Sequence, residues 1–257
     1  MKVLGIVHAC CRKKKRYRRA IEDYDRALDL DPASVSAYNG RGIACWSLKE
    51  YQRAIQDFER ALDLDPTFAG AYNNRGLAYR GLKEYQRAIE DYDRAITLDP
   101  TSIAAYDNRY EAYRLIGNYE LALSDLDCIL TLQENVEART YNNRGLVLSY
   151  LKRYEEAIED YERGLRKEPD DIYLLYNIAV VKARWQGIAA AEPYINTARE
   201  ALLAVSDDNL QDTKLYGLSG LAALVSEIDQ ALGYLGQALL QGEQIIGWAR
   251  HDIAWLD

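Results

Sequence analysis

Apolar residues recur at helical spacing along most of the chain, and the pattern itself repeats. Prolines stand 34 residues apart at Pro32, Pro66 and Pro100, and Pro169 follows after two periods plus one residue. Segment 49–66 is identical to segment 83–100 at 13 of 18 positions. Each period predicts two helices joined by a short turn, and the second helix ends at an acidic residue before proline, because that residue avoids the helical region.

Two short phrases mark the two helices of each period. A Tyr-x-x-Ala motif begins each second helix, with its tyrosine at Tyr17, Tyr51, Tyr85, Tyr119 and Tyr154. The tyrosine early in each first helix is Tyr38, Tyr72, Tyr106 and Tyr141. Small residues recur where the two helices of a period would approach closely. They are Gly42, Gly76 and Gly145 in the first helices and Ala20, Ala54, Ala88, Ala122 and Ala157 in the second helices. A hairpin of this size cannot bury its apolar face alone, so neighbouring hairpins must stack.

These offsets resemble the tetratricopeptide repeat. The resemblance implies an all-α, right-handed superhelical solenoid of tandem 34-residue helix-turn-helix repeats, forming one domain over 1–257, with the first helices lining a concave groove. Clear repeats are expected at 35–68, 69–102, 103–137 and 138–171. The first repeat, 1–34, is atypical, 172–205 and 212–245 are degenerate, and 244–257 is expected to form a capping helix.

The repeat also explains an uneven aromatic composition of 21 tyrosines and two phenylalanines. Fourteen tyrosines fall in four repeat slots, where a thin two-helix layer buries the ring and leaves the hydroxyl near water. They are therefore chiefly core. The seven others remain available for a ligand: Tyr110, Tyr150, Tyr173, Tyr176, Tyr194, Tyr216 and Tyr234.

Charge is divided unevenly along the chain. The formal net charge is −8, but seven of the basic residues lie within 12–19, which leaves 25 basic against 40 acidic residues elsewhere. An acidic body repels a phosphate backbone, so nucleic-acid binding along the chain is disfavoured. The basic run falls where the other repeats have a turn between helices. We expect a solvated turn there, with an anionic contact or a nuclear-localisation signal as the alternatives.

Sequence features that would indicate a metal, a cofactor or a membrane span are lacking. The four cysteines form no CxxC pair and only two histidines are present, so we expect no metal, no cofactor and a reduced cytoplasmic protein. No apolar stretch is long enough to span a bilayer. The adjacent Cys10 and Cys11 before the basic run leave an acylated anchor as an alternative.

Catalysis is not expected, because the carboxylates that invite it are copied into every repeat. Asp57, Asp91, Asp125 and Asp160 share one slot, and Arg41, Arg75, Arg109 and Arg144 share another in the first helix. In the degenerate repeats the arginine slot holds Ile178 and Leu218, and the aspartate slot holds Tyr194 and Tyr234. Since a single uncompensated charge there would be costly, we predict that each arginine pairs with an aspartate of this set. The first repeat departs from the rule, with Val7 opposite Asp23.

The residue before each arginine supplies the candidate binding site. It is asparagine at Asn74, Asn108, Asn143 and, by register, Asn177, with Gly40 as the exception. An amide both donates and accepts hydrogen bonds, so a row of amides could grip the backbone of an extended peptide whatever its sequence. Some members of the tetratricopeptide family use such a row of asparagines to bind a peptide backbone, and the resemblance implies the same role here. Asn39, Asn73 and Asn142, one residue earlier, are expected to join it; the alternative is that these amides bond only locally.

The sequence thus favours a non-catalytic scaffold that binds an extended peptide or a partner helix in the groove. The alternative is a regulatory or sensor segment of a larger multidomain protein, in which the repeats pack on their own effector domain. The partner in either case is protein. A terminal repeat without a polar outer face would also permit end-to-end self-association.

Overall fold

The computed structural model describes the backbone of residues 2–206 and 211–225 and the side chains of 14–206 and 214–225. Twelve α-helices and no strands occur in this described part, which confirms the predicted all-α fold of helical repeats. The chain divides into two compact units, 1–133 and 134–257. The predicted cap at 244–257 lies outside the described residues, as do Tyr234 and the rest of 226–245 in the predicted repeat 212–245.

In the first unit a single long helix precedes three hairpins. The helices are α1 (Lys2–Leu30), α2 (Val35–Ser47), α3 (Tyr51–Leu64), α4 (Ala69–Gly81), α5 (Tyr85–Leu98), α6 (Ile103–Leu115) and α7 (Tyr119–Leu132). Within this unit each helix packs on the next. The second helices α3 and α5 are strongly amphipathic and present alanines and one aromatic ring each, Phe58 or Tyr92, to the core.

The second unit continues the same plan. It comprises α8 (Ala138–Tyr150), α9 (Tyr154–Lys167), α10 (Ile172–Gln186), α11 (Ile188–Ala204) and α12 (Gln211–Leu224). The pairs α8–α9 and α10–α11 form hairpins, and α12 packs against both α10 and α11. Pro193 lies in the early part of α11 without ending that helix.

The turns of α2–α3, α4–α5, α6–α7 and α8–α9 share one backbone conformation. The middle residue of each turn is left-handed, with φ of 64° at Lys49, 64° at Lys83, 79° at Gly117 and 59° at Lys152. The residue before it is Leu48, Leu82, Ile116 or Leu151. Leu48 and Leu82 pack against the core of the first unit, so an apolar anchor holds this turn closed.

The turn predicted at the basic run 12–19 is wrong, because α1 is continuous from Lys2 to Leu30. Lys14 stands where Leu48 and Leu82 anchor the turns of the next two hairpins, and Lys14 is exposed. Lys14 therefore makes no apolar contact of the kind that Leu48 and Leu82 make with the core. Lysine and arginine favour the helix, and the run contains no glycine or proline to interrupt it.

Candidate binding site

The structure brings each repeat arginine of the first unit against the aspartate sixteen residues later. Arg75 donates from Nε to Asp91 Oδ2 over 2.8 Å and from Nη2 to Asp91 Oδ1 over 2.7 Å. Arg109 makes the same two-pronged contact with Asp125, at 2.9 and 2.6 Å. Arg41 donates to Asp57 in the same way. Each contact joins the first helix of a hairpin to its second helix.

A second acidic residue, which sequence reasoning missed, precedes two of these arginines by sixteen residues. Arg41 Nη1 lies 2.7 Å from Asp25 Oδ1, and Arg109 Nη1 lies 2.5 Å from Asp93 Oδ1. Arg41 therefore bridges α3 and α1, and Arg109 bridges α7 and α5. The signal was present in the sequence, since acidic residues at 25, 59 and 93 recur with the same period as the arginines.

In the second unit, Arg144 and Asp160 occupy the same slots. Arg144 Nη1 lies 2.6 Å from Asp160 Oδ2, and Arg163 Nη1 lies 3.1 Å from Asp160 Oδ1. The Asp160 side chain is fully buried. Two guanidinium groups thus share one buried carboxylate, so this charge is compensated from both α8 and α9.

Burial and pairing act on these carboxylates in opposite directions. Burial raises the pKa of Asp91, Asp125 and Asp160, while the arginine opposite each one opposes that shift. The hydrogen bond to Asp91 raises the pKa of Arg75, although burial opposes it. The arginines therefore remain protonated at any physiological pH, and the aspartates depend on them to stay charged.

Tyrosines flank the repeat arginines and account for part of the aromatic composition. The guanidinium carbon lies 5.5 Å from the ring centroid of Tyr38 for Arg41, 5.6 Å from Tyr72 for Arg75 and 5.5 Å from Tyr106 for Arg109. The ring centroid of Tyr79 is 5.9 Å from the same carbon of Arg75. These rings stabilise the partly buried cations by cation–π attraction.

The asparagines are paired between neighbouring first helices. Asn74 Nδ2 donates to Asn39 Oδ1 over 3.0 Å, and Asn108 Nδ2 donates to Asn73 Oδ1 over 2.9 Å. In the second unit Asn177 Nδ2 donates to Asn142 Oδ1 over 2.9 Å. All six side chains are half-buried, and so is Asn143 on α8. Each pair joins residues 35 positions apart, so the amides link one repeat to the next.

Gly40 stands in the asparagine row for a steric reason. A Cβ built there would clash with the Tyr24 ring. In the later hairpins the ring at the slot of Tyr24 packs on a glycine of its own hairpin, as Tyr92 does on Gly76. Because α1 is a single helix, Tyr24 has no such partner and lies against Gly40 of α2.

Of the tyrosines left over by the repeat pattern, three are core residues. Tyr110, Tyr176 and Tyr216 are buried, and a Cβ at Gly220 of α12 would meet the Tyr176 hydroxyl. Their availability for a ligand, expected from the sequence, is therefore wrong. Tyr150, Tyr173 and Tyr194 are half-buried, and Tyr234 lies outside the described residues.

In the described part of the chain, no group of three or more histidine, cysteine, aspartate or glutamate side chains is arranged to hold a metal ion. The helices that the structure describes are also too short or too polar to cross a bilayer. Cys45 is buried and Cys128 half-buried, and both are free thiols.

Comparison with known proteins points to one family. The tetratricopeptide repeat family matches residues 12–69, 69–102 and 138–171. A search of curated proteins found no match.

Three solved structures illustrate the shared fold. A tetratricopeptide repeat protein from Parabacteroides merdae has a TM-score of 0.73 at 19% identity, covering 95% of this chain and 94% of its own. YrrB, described as a TPR protein with an unusual peptide-binding site, has a TM-score of 0.63 at 20% identity, covering 72% and 94%. MamA from Desulfovibrio magneticus has a TM-score of 0.63 at 19% identity, covering 67% and 97%.

Proteins of this family are generally non-catalytic scaffolds that bind protein partners. The helical hairpins, the period of 34 residues and the family matches agree with one another, and the chain is a tetratricopeptide repeat protein.

Proposed function

We propose that this chain is a scaffold whose first helices bind an extended peptide of a partner protein through their asparagine side chains. The observation that carries the proposal is the row of paired amides, Asn39 with Asn74 and Asn73 with Asn108, at constant separation on α2, α4 and α6. A residue type repeated at equal spacing on successive helices presents the same group at regular intervals along a surface.

The inter-repeat hydrogen bonds support this role, although they are also the local bonds that a purely structural row would make. A primary amide offers two N–H donors and one oxygen, so one bond to a neighbouring asparagine uses only part of its capacity. The bond also fixes the side-chain orientation before a ligand arrives, which reduces the entropy lost on binding. A pre-oriented amide can then pair with the N–H and C=O groups of a peptide backbone.

The spacing of the helices fits an extended ligand. Packed helices lie about 9 Å apart, and an extended chain advances about 3.3 Å per residue. One asparagine would therefore meet roughly every third residue of the peptide. The fold shared with YrrB, a protein described as having an unusual peptide-binding site, is consistent with this use of the scaffold.

The test is selection of binders from a displayed random peptide library, followed by affinity measurement on variants. We expect Asn74→Ala with Asn108→Ala to weaken binding about tenfold or more, since each lost hydrogen bond is worth about 1 kcal/mol. The matched control is Gln52→Ala with Gln86→Ala, which removes two exposed amides at equivalent positions of the second helices. Undiminished binding by the asparagine variant, with its helical circular dichroism intact, would overturn the proposal.

A further inference from the structure

A dense cluster of cations lies on α1, away from the asparagine row. Lys14, Lys15, Arg16, Arg18 and Arg19 are all exposed, and we call these five residues the basic face. The helix that carries them is held in place, because Tyr17 and Ala20 pack against the core of the first unit and Ile21 is part of that core. The basic face is therefore presented on a fixed element.

At Arg16 the basic face reverses the charge that the next two repeats carry at the same position. In those repeats a glutamate and an arginine three residues apart pair on the helix surface: Glu50 with Arg53 over 3.4 Å, and Glu84 with Arg87 over 2.6 Å. The corresponding residues of α1 are Arg16 and Arg19. Arg19 keeps the cation of this pair, but Arg16 places a second cation where the other two repeats have the glutamate carboxylate.

These guanidinium groups lack an internal partner among the described side chains. No described ion pair includes any residue of the basic face. A surface depression on α1 is lined by Lys15, Arg16, Arg19, Ala20 and Asp23. Its one carboxylate, Asp23, already accepts a hydrogen bond from Arg26. Clustered like charges repel one another, so an anion placed there would be stabilising.

We propose that the basic face binds an acidic segment of a partner protein, with a carboxylate of that segment between Arg16 and Arg19. The ligand group is expected to be a carboxylate, because a glutamate carboxylate contacts the arginine at the corresponding position of the next two repeats. A nucleic acid fits less well. Exposed Glu22, Asp29 and Asp31 follow on the same helix and its end, and the rest of the chain has 25 basic against 40 acidic residues, so a long polyphosphate would meet repulsion beyond the cluster.

The experiment titrates the full chain with a fluorescein-labelled oligoglutamate peptide and, in parallel, with an oligothymidine of matched charge and with phosphatidylserine vesicles. The informative variant is Arg16→Glu, which installs the intrahelical pair that Glu50 and Arg53 make. Its control is Arg60→Glu, an equal change of charge at an exposed position of α3 where the existing contact to Asp63 is 3.8 Å. Circular dichroism monitors the fold of each variant.

We expect Arg16→Glu to weaken oligoglutamate binding on the order of tenfold, and Arg60→Glu to leave it within about twofold. Raised salt should weaken the binding of the unaltered chain, because the contacts are exposed. The proposal is overturned if oligoglutamate does not bind, if Arg16→Glu and Arg60→Glu weaken binding equally, or if DNA or vesicles bind more tightly than the peptide. None of these results bears on the asparagine row, so the two proposals fail independently.

Discussion

The hairpins α4–α5 and α10–α11 have the same helical plan but different interiors. In α4–α5 a charged pair, Arg75 and Asp91, joins the helices, whereas α10–α11 has Ile178 and Tyr194 in those slots. Ile178 is buried, and the Lys182 ammonium lies 4.5 Å from the Tyr194 ring centroid. α10 buries eight residues where α4 buries four. One backbone plan therefore accepts either a buried ion pair or apolar packing, and both slots differ together between the two hairpins.

A second pair of slots varies in the same coordinated way. A glycine on the first helix faces an aromatic ring on the second, as Gly76 does Tyr92. In α10–α11 these slots hold Ala179 and Ile195, and both are buried. In α6–α7 they hold Tyr110 and Leu126. Where the first helix has a side chain in place of glycine, the second helix has an aliphatic side chain in place of the ring. The two side chains together therefore do not overfill the space between the helices.

The largest effect is expected from removing one member of the charged pair. Arg75→Ala leaves Asp91 with a buried, uncompensated carboxylate, so we expect a loss of about 3–5 kcal/mol in the free energy of unfolding. The control, Arg53→Ala, breaks an exposed pair with Glu50 and should cost less than about 1 kcal/mol. Urea unfolding followed by circular dichroism compares the two. Equal losses of stability in the two variants would contradict a larger contribution from the buried pair of Arg75 and Asp91.

The same variant has a predictable pH dependence. Burial already raises the pKa of Asp91, and loss of Arg75 removes the main group that opposes the shift. The folded variant then binds a proton more tightly than the unfolded chain, so its stability falls as pH rises above the unfolded aspartate value of about 4. We expect the deficit of Arg75→Ala relative to the unaltered chain to shrink between about pH 7 and pH 5. A deficit independent of pH would contradict the burial of an uncompensated charge.

A smaller effect is expected at the glycine slot. A Cβ at Gly76 would lie 2.5 Å from the Tyr92 ring, so Gly76→Ala should cost about 1–3 kcal/mol by overpacking, less up to about 1 kcal/mol gained in helix propensity. In a Tyr92→Leu background, which reproduces the aliphatic partner of α6–α7, the same substitution should be neutral or stabilising. If Gly76→Ala is equally destabilising in both backgrounds, steric contact with Tyr92 is not the cause.

The smallest effect on stability is expected at the aromatic position of the second helices, which Tyr92 occupies in α5 and Tyr161 in α9. The Tyr161 hydroxyl lies 3.2 Å from Ser149 Oγ, whereas the buried Tyr92 hydroxyl has no hydrogen-bond partner among the described residues. Tyr161→Phe should therefore destabilise by about 1 kcal/mol, and Tyr92→Phe should be neutral or stabilising. Phe58 already occupies this slot in α3. Matched unfolding curves of the two variants measure the difference, and the opposite order would refute it.

The repeats and their ends could be predicted from the sequence because they depend on local, periodic features. The 34-residue period and the residues before each proline mark helices that end at Leu64 and Leu98. The correlated loss of arginine and aspartate pointed to two slots that the structure brings together. These signals are repeated several times, so each copy supports the others.

Features that depend on packing between helices were not predictable in this way. The continuity of α1 depends on Lys14 lacking the apolar contact that Leu48 makes, and that contact is visible only once the helices are packed. The burial of Tyr176 depends on α12, which belongs to the next, degenerate repeat. The amide bonds between Asn39 and Asn74 depend on the distance between first helices, which a single repeat does not specify.

The most direct test of the comparison between α4–α5 and α10–α11 is a double-mutant cycle on Arg75 and Asp91. Arg75→Ile and Asp91→Leu, alone and combined, measure whether the two slots depend on each other. We predict that the double variant unfolds with a free energy at least about 2 kcal/mol higher than Arg75→Ile alone, because it leaves no buried charge without a partner. Additive losses, with the double variant less stable than either single one, would contradict the claim that ion pair and apolar packing are interchangeable in this hairpin.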